Sequence, residues 1–198
     1  TLTGLADRSH LASPQVGLRL HATDLVSHLR WHDLHDVVLV GHSYAGFVVR
    51  EAADRSPDRV RVVTLLDAWL GKDGDSLASQ APSWFTEALT SAAEREGFGW
   101  LCPAPSPDLV GVHDDRIAER MRRLLTPQPL LTFLEPTRLT GAVDRLEHRA
   151  AVCIDGIGLP FAELAAQVDG DAVRIESGHD AMLVAPEAVA RFILGAAT

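Results

Sequence analysis

Three short stretches of this chain hold the residue types that could do covalent chemistry. In the first, DVVLVGHSYAG (36–46), an apolar run ends in Gly41-His42-Ser43-Tyr44-Ala45-Gly46. A serine hydroxyl is a weak nucleophile until a neighbouring base takes its proton. A sharp strand-to-helix corner lifts such a hydroxyl above a sheet and sets it at a helix N-terminus, where the next backbone N–H, that of Tyr44, can face a developing oxyanion. The corner brings strand and helix close together, so small residues must flank the serine. Gly41 stands two before Ser43, Ala45 two after, and Gly46 follows; most such turns have glycine where Ala45 sits. The second stretch, SGHDAML, supplies His179 as a base just after the apolar AVRIES. The third, AVCID, ends on Asp155, an acid able to orient the imidazole and stabilise its charged form. The order Ser43, Asp155, His179 is that of a nucleophile, acid and base assembled on one sheet. Asp67, which ends RVVTLLD, is the alternative acid; chain order and loop position favour Asp155.

Plainer roles stand beside these. Ser43 could cap a helix, His179 could be a loop histidine bonded to backbone, and Asp155-Gly156 is a turn dipeptide. His28, His32 and His35 have ligand-like spacing but read as a solvated helix end, so no metal site is expected there. Cys153 lies in an apolar strand and reads as packing. Cys102 sits among prolines, with no base near it in sequence.

The elements that must position these residues alternate. LRLHATDLVSHLR (18–30) puts Leu18, Ala22, Leu25, Val26 and Leu29 on one helical face. VVLV (37–40) is apolar throughout, as in a parallel strand covered on both sides. Ala45, Val48, Val49, Ala52 and Ala53 mark a helix that ends before Pro57. RVVTLLD (61–67), AVCID (151–155) and AVRIES (172–177) read as strands. PEAVARFIL (186–194) reads as a last helix with proline in its first turn. The opening TLTGLADRSH reads as a strand end running into a loop. This is an α/β pattern. It divides into 1–67 with the serine corner, an inserted cap over 68–147, and 148–198 with the acid and the histidine. Within the insertion, prolines crowd together and Asp114 or Asp115 can start a short helix bearing Ile117, Met121, Leu124 and Leu125. Trp84 and Phe85, with Met182 beside His179, are candidates to line a substrate pocket.

Composition narrows the function classes. At 198 residues and 46% hydrophobic, the chain can bury a core. Twenty-seven acidic against eighteen basic residues give a net charge of −9, which argues against nucleic acid and anionic membranes as partners. No apolar run approaches membrane-spanning length. Two cysteines far apart form no disulfide framework, so a reducing, cytoplasmic setting is expected.

The pieces TLTGLADRSHL, VVLVGHSYAG, LLDAWLGKDGDSL, LTPQPLLTF and SGHDAMLVAPE, spread over nearly the whole chain, resemble the α/β-hydrolase superfamily. Within it they are similar to the group of plant methylesterases, hydroxynitrile lyases and related bacterial esterases. The resemblance implies an α/β-hydrolase fold, a Ser-His-Asp triad of Ser43, His179 and Asp155, no cofactor, and small-molecule ester substrates. The lyases of the group carry lysine after the histidine and cysteine after the serine. This chain has Asp180 and Tyr44 there, which favours ester hydrolysis over the lyase; a lyase-like or lactone-opening role stays as a second alternative. Members of the group begin with a strand ending in a His-Gly turn, ahead of the TLTG segment. The expectation is therefore of an N-terminally incomplete core: first, a piece of a longer esterase; otherwise, a truncation whose VVLV edge a partner chain or a second copy would complete. A non-catalytic binding protein of the same fold is the reading from a different class.

Overall fold

The computed structural model describes residues 1–197. Four parallel strands among them form one sheet in the order β1 (Val37–Ser43), β2 (Val60–Ala68), β5 (Glu147–Cys153), β6 (Val173–Ile175). A separate two-stranded antiparallel ladder joins β3 (Leu101–Cys102) to β4 (Gln128–Pro129). Strand β2 is buried along nearly all of its length, with Thr64 and Asp67 buried among its apolar residues. Strand β1 stands at an edge of the sheet and pairs with β2 alone among the described residues.

Helices cover both faces. Helix α1 (Leu18–Trp31) buries Leu18, Ala22, Val26 and Leu29, the face expected from its periodicity, and adds His21 to it. Helix α2 (Ala45–Arg55) leaves β1 directly after Tyr44 and stops at Ser56, before Pro57. With Trp69 and helix α7 (Phe161–Ala165), these helices pack into one cluster. On the other face Leu66, Ala151, Cys153 and Ile175 pack with α8 (Ala181–Val184) and α9 (Pro186–Ala196).

Helix α2 carries a polar load that apolar periodicity does not announce. Arg50, Glu51 and Asp54 are buried, and each grips the chain where it returns toward β5. Glu51 accepts from the Thr137 hydroxyl at 2.9 Å and the Arg138 N–H at 3.1 Å. Asp54 accepts from the Thr140 N–H, the Thr140 hydroxyl and the Val143 N–H. Arg50 reaches Asp144 at 2.7 Å and His148 Nε2 at 2.8 Å. Pairing of this kind offsets the cost of burying these polar groups.

Between β2 and β5 the chain forms α3 (Leu77–Gln80), α4 (Ser83–Glu96), α5 (Asp115–Leu124) and α6 (Leu131–Leu134). Asp114 starts α5 as expected, its Oδ1 accepting from the Arg116 and Ile117 N–H groups. Two boundaries differ from the sequence expectation. The opening segment is not a strand end: Gly4 turns at φ +85° and a 3-10 turn follows over Ala6–Leu11. Thr3 is tied instead to α1, where Asp24 takes its N–H at 2.7 Å and its hydroxyl at 3.0 Å. The strand expected over 151–155 lies at Glu147–Cys153, so Asp155 falls two residues beyond its end.

Candidate active site

Ser43 is the last residue of β1 and sits in the left-handed region at φ 51°. A non-glycine residue held there is strained and persists only where its surroundings enforce it. Those surroundings are backbone. The Ser43 carbonyl accepts from the Trp69 N–H at 3.2 Å. A Cβ on Gly46 would meet the Trp69 carbonyl oxygen at 2.1 Å, and one on Gly41 would meet the Ala45 carbonyl oxygen at 2.7 Å. Glycine is thus required on both flanks, while Ala45 is accommodated. Ser43 keeps partial solvent access, and its neighbour Tyr44 places its N–H at the start of α2. The buried Tyr44 ring points away to lock the corner. Its hydroxyl lies 3.0 Å from His21 Nδ1, and His21 Nε2 lies 2.8 Å from the Thr3 carbonyl. A carbonyl only accepts, so Nε2 carries the proton and the tyrosine donates to Nδ1. Burial lowers the pKa of His21 and keeps it neutral, while desolvation raises that of Tyr44.

His179 lies on the irregular segment after β6 and is 5% exposed. Its Nδ1 is 2.7 Å from Asp67 Oδ2. Its acid partner is therefore Asp67, and the assignment of Asp155 from sequence is corrected. Asp67 is 1% exposed, and its Oδ1 accepts from the Cys153 N–H at 3.0 Å, so both carboxylate oxygens are occupied. Asp155 is exposed, takes part in a backbone bond from its N–H to the Ser177 carbonyl, and lines a cavity of about 460 Å³ with Asp108, His113 and Glu176. It is a turn residue beyond the strand.

The reason lies in a register shift. Along β1 and β2, His42 pairs with Leu66 but Ser43 pairs with Ala68, so Asp67 is skipped. Asp67 itself sits at φ 43°. A bulge of this kind re-aims one side chain, and here it turns the carboxylate toward the histidine.

Other groups complete the surroundings of His179. The Phe161 ring stacks on the imidazole with centroids 5.2 Å apart and planes within 6°. His42 approaches it with ring centroids 4.4 Å apart, and His42 Nε2 lies 2.9 Å from the His179 carbonyl. Burial, then the charge of His179, pushes the pKa of His42 down to about 4. Burial raises that of Asp180. Among the described residues, His42, His179 and Asp180 bring potential ligand atoms within 4.8 Å of one another, close enough for a metal ion. However, His42 Nε2 and His179 Nδ1 already lie in hydrogen bonds. Cys153 and Cys102 are buried free thiols, each raised to about 11 by burial.

The residues expected to line a pocket are dispersed. Phe85 packs against Trp69, which makes an edge contact with Phe161 and so connects to His179. Trp84 contacts Phe85 and is 53% exposed. Met182 packs on the other side, against the cluster of Leu66, Cys153 and Ile175. Phe161 and His42 went unremarked in the sequence. For His42 the available signal was its place directly before the serine.

Known proteins resemble this chain in sequence and fold. The model of the Alpha/beta hydrolase family covers residues 2–192. A carbendazim hydrolyzing esterase from Nocardioides sp. (strain SG-4G) is 32% identical over 203 residues, covering 96% of this chain and 83% of that protein. Among solved structures, an extracellular alpha/beta-hydrolase from a Paenibacillus species superposes with a TM-score of 0.81 at 19% identity, over 97% of this chain and 84% of that one. Tomato Methylketone Synthase I superposes with a TM-score of 0.74 at 14% identity, over 99% and 84%. No described helix is long and apolar enough to cross a membrane. With the serine corner on β1, the histidine after the last strand and the match along almost its whole length, this chain belongs to the alpha/beta hydrolase family.

Proposed function

We propose that this protein hydrolyses small carboxylic esters through an acyl-enzyme, with Ser43 as nucleophile, His179 as base and Asp67 as the acid that orients it. The observation that carries this reading is the buried 2.7 Å bond between His179 Nδ1 and Asp67. A carboxylate there holds the proton on Nδ1 and leaves the Nε2 lone pair free to accept one. Nε2 takes the Ser43 hydroxyl proton as Oγ bonds to the ester carbonyl carbon. The resulting oxyanion is met by the Tyr44 N–H at the start of α2. The intermediate collapses, the C–O bond to the alcohol breaks, and His179 returns its proton to the leaving oxygen. Water then repeats the sequence on the acyl-enzyme and releases the acid. Phe161, stacked on the imidazole, offers its π face to the cation formed in each half-reaction.

The 68–147 insertion acts as the cap in this reading. The aromatic contacts from Phe85 through Trp69 to Phe161 mark the side on which an acyl or alcohol group would lie. The relative that hydrolyses carbendazim makes that compound, a methyl carbamate, the first substrate to offer beside a short-chain p-nitrophenyl ester. The test is intact mass measurement after treatment with a fluorophosphonate. One adduct is expected on the wild-type chain and none on Ser43→Ala, with hydrolysis lost in parallel. A folded wild-type sample that takes no adduct would overturn the reading and leave a binding protein of the same fold.

A further inference from the structure

Outside the roles just assigned lie the acidic cavity around Asp155, the buried Cys153 thiol, and His42. The cavity offers carboxylates with nothing that marks a ligand, and the thiol is buried and held protonated. His42 stands on geometry. Nucleophile and base come from segments 136 residues apart in sequence, and each is anchored by its own surroundings: Ser43 by the backbone of β2, His179 by Asp67 and Phe161. The bond from His42 Nε2 to the His179 carbonyl, at 2.9 Å, joins the two segments directly. It leaves the residue next to the nucleophile and ends on the main chain of the base.

We propose that His42 is a positioning residue for ester hydrolysis, whose Nε2–H, donated to the His179 carbonyl, sets the imidazole over Ser43. This rests on the function proposed above. The carbonyl can only accept, so Nε2 carries a proton, and in a neutral ring Nδ1 is then bare. The surroundings enforce that neutrality, since burial and the nearby His179 both oppose a charge on His42. A neutral ring matters here, because a cation 4.4 Å from His179 would oppose the imidazolium that forms there in each half-reaction. Asp180 Oδ1 lies 3.9 Å from His42 Nε2, too far for a hydrogen bond. The segment bearing His179 is neither helix nor strand, so it has no ladder of its own to hold register. A displacement of about 1 Å at a catalytic group costs on the order of a hundredfold in rate.

The test compares wild type, His42→Phe and His42→Gln. Phenylalanine keeps a ring without the donor; glutamine restores an N–H at similar reach. For His42→Phe the expected result is a fall in kcat of about tenfold to a hundredfold, KM within about threefold, and a matching fall in the fluorophosphonate labelling rate. His42→Gln should recover most of both. Wild-type rates in His42→Phe, or a His42→Gln variant as impaired as His42→Phe, would overturn the inference. Nitrogen-15 NMR of the wild-type imidazoles tests the bond without any variant. A neutral Nε2–H tautomer from pH 5 to 8 is expected, and an Nδ1–H tautomer or titration near pH 6.5 refutes it. Absence of labelling in the wild type would overturn the esterase reading itself, a result distinct from equal labelling of wild type and His42→Phe.

Discussion

Asp67→Asn is the substitution whose outcome the structure constrains most tightly. Both carboxylate oxygens accept from N–H groups, Oδ2 from His179 Nδ1 and Oδ1 from the Cys153 main chain. An asparagine has one acceptor and one NH2 group, so one of the two donors must face another donor. The Cys153 N–H is fixed by β5 and cannot turn away, and leaving it unpaired in a buried site costs about 1–3 kcal/mol. The imidazole can respond by moving its proton to Nε2, at small cost for a neutral ring. The asparagine NH2 therefore turns toward His179, Nδ1 becomes the acceptor, and Nε2 is left carrying a proton where the serine needs a base. The negative charge that would stabilise the imidazolium is also gone.

In the serine-histidine-acid arrangement, that combination lowers kcat by about a thousandfold to ten-thousandfold, or about 4–5 kcal/mol of barrier. The assay is steady-state hydrolysis of a p-nitrophenyl ester, with thermal unfolding measured on the same samples. Asp67→Asn should retain its melting temperature within a few degrees, because the shape and one of the two bonds survive. Asp155→Asn is the paired control. Asp155 is exposed and bonds only through its main chain, so it should stay within about threefold of wild type. An Asp67→Asn enzyme within about tenfold of wild type, or an Asp155→Asn enzyme that loses as much, would refute the reasoning.

Acid should destabilise the fold before any carboxylate titrates from its usual value. His21, His42 and His148 all have folded pKa values held below 6.5 by burial first. The unfolded chain therefore binds more protons as pH falls below 6.5, and stability is lost through that window, for His42 levelling off below about 4. His42 alone sets an upper bound of about 2 kcal/mol lost by pH 5, from 1.36 kcal/mol per pKa unit. Its side chain is 24% exposed, so the real figure is smaller. Asp180, raised by burial, pulls the opposite way. Urea midpoints at pH 7.5 and 5 check this, and an unchanged or higher midpoint at pH 5 would contradict it. Gly46→Ala tests the corner: its Cβ would sit 2.1 Å from the Trp69 carbonyl oxygen, where only backbone can yield. Overpacking of this kind costs about 1–3 kcal/mol, a melting temperature lower by about 2–4 °C for each kcal/mol. Because the shift passes through Ser43, kcat should fall with it, and a variant with wild-type melting and rate would exclude the close approach.

Much of this arrangement was legible because its physics is local. The apolar strands, the helical face of α1 and the proline stop of α2 follow from periodicity and backbone sterics. The serine corner follows from small residues at fixed offsets, each now matched by a backbone atom that a side chain would strike. What stayed hidden is non-local. Arg50, Glu51 and Asp54 occupy helical positions that read as solvent-facing, yet they are buried because the chain returns over them some 90 residues later. Nothing in α2 itself announces the segment that will come to need those acceptors.

The choice of acid shows the same limit in its sharpest form. Asp67 and Asp155 each follow a run of apolar residues, each precedes His179, and the two strands they follow are hydrogen-bonded neighbours. Strand neighbours end at the same rim of a parallel sheet, so either carboxylate is within reach of a histidine arriving after β6. Two small offsets decide between them. β5 stops at Cys153, which carries Asp155 past the rim into solvent. The pairing of β2 with β1 slips by one residue between His42 and Ser43, which frees Asp67 from the ladder and turns it inward. Because side chains alternate along a strand, a slip of one residue moves a side chain from one face to the other. The slip accompanies the serine corner: with Ser43 in the left-handed region, its carbonyl takes the Trp69 N–H, and the ladder closes around the bulge at Asp67. The strained corner that exposes the serine and the bulge that aims the acid are therefore one deformation. Relaxing either should cost the other, which is why Gly46→Ala is expected to weaken the base as well as displace the nucleophile.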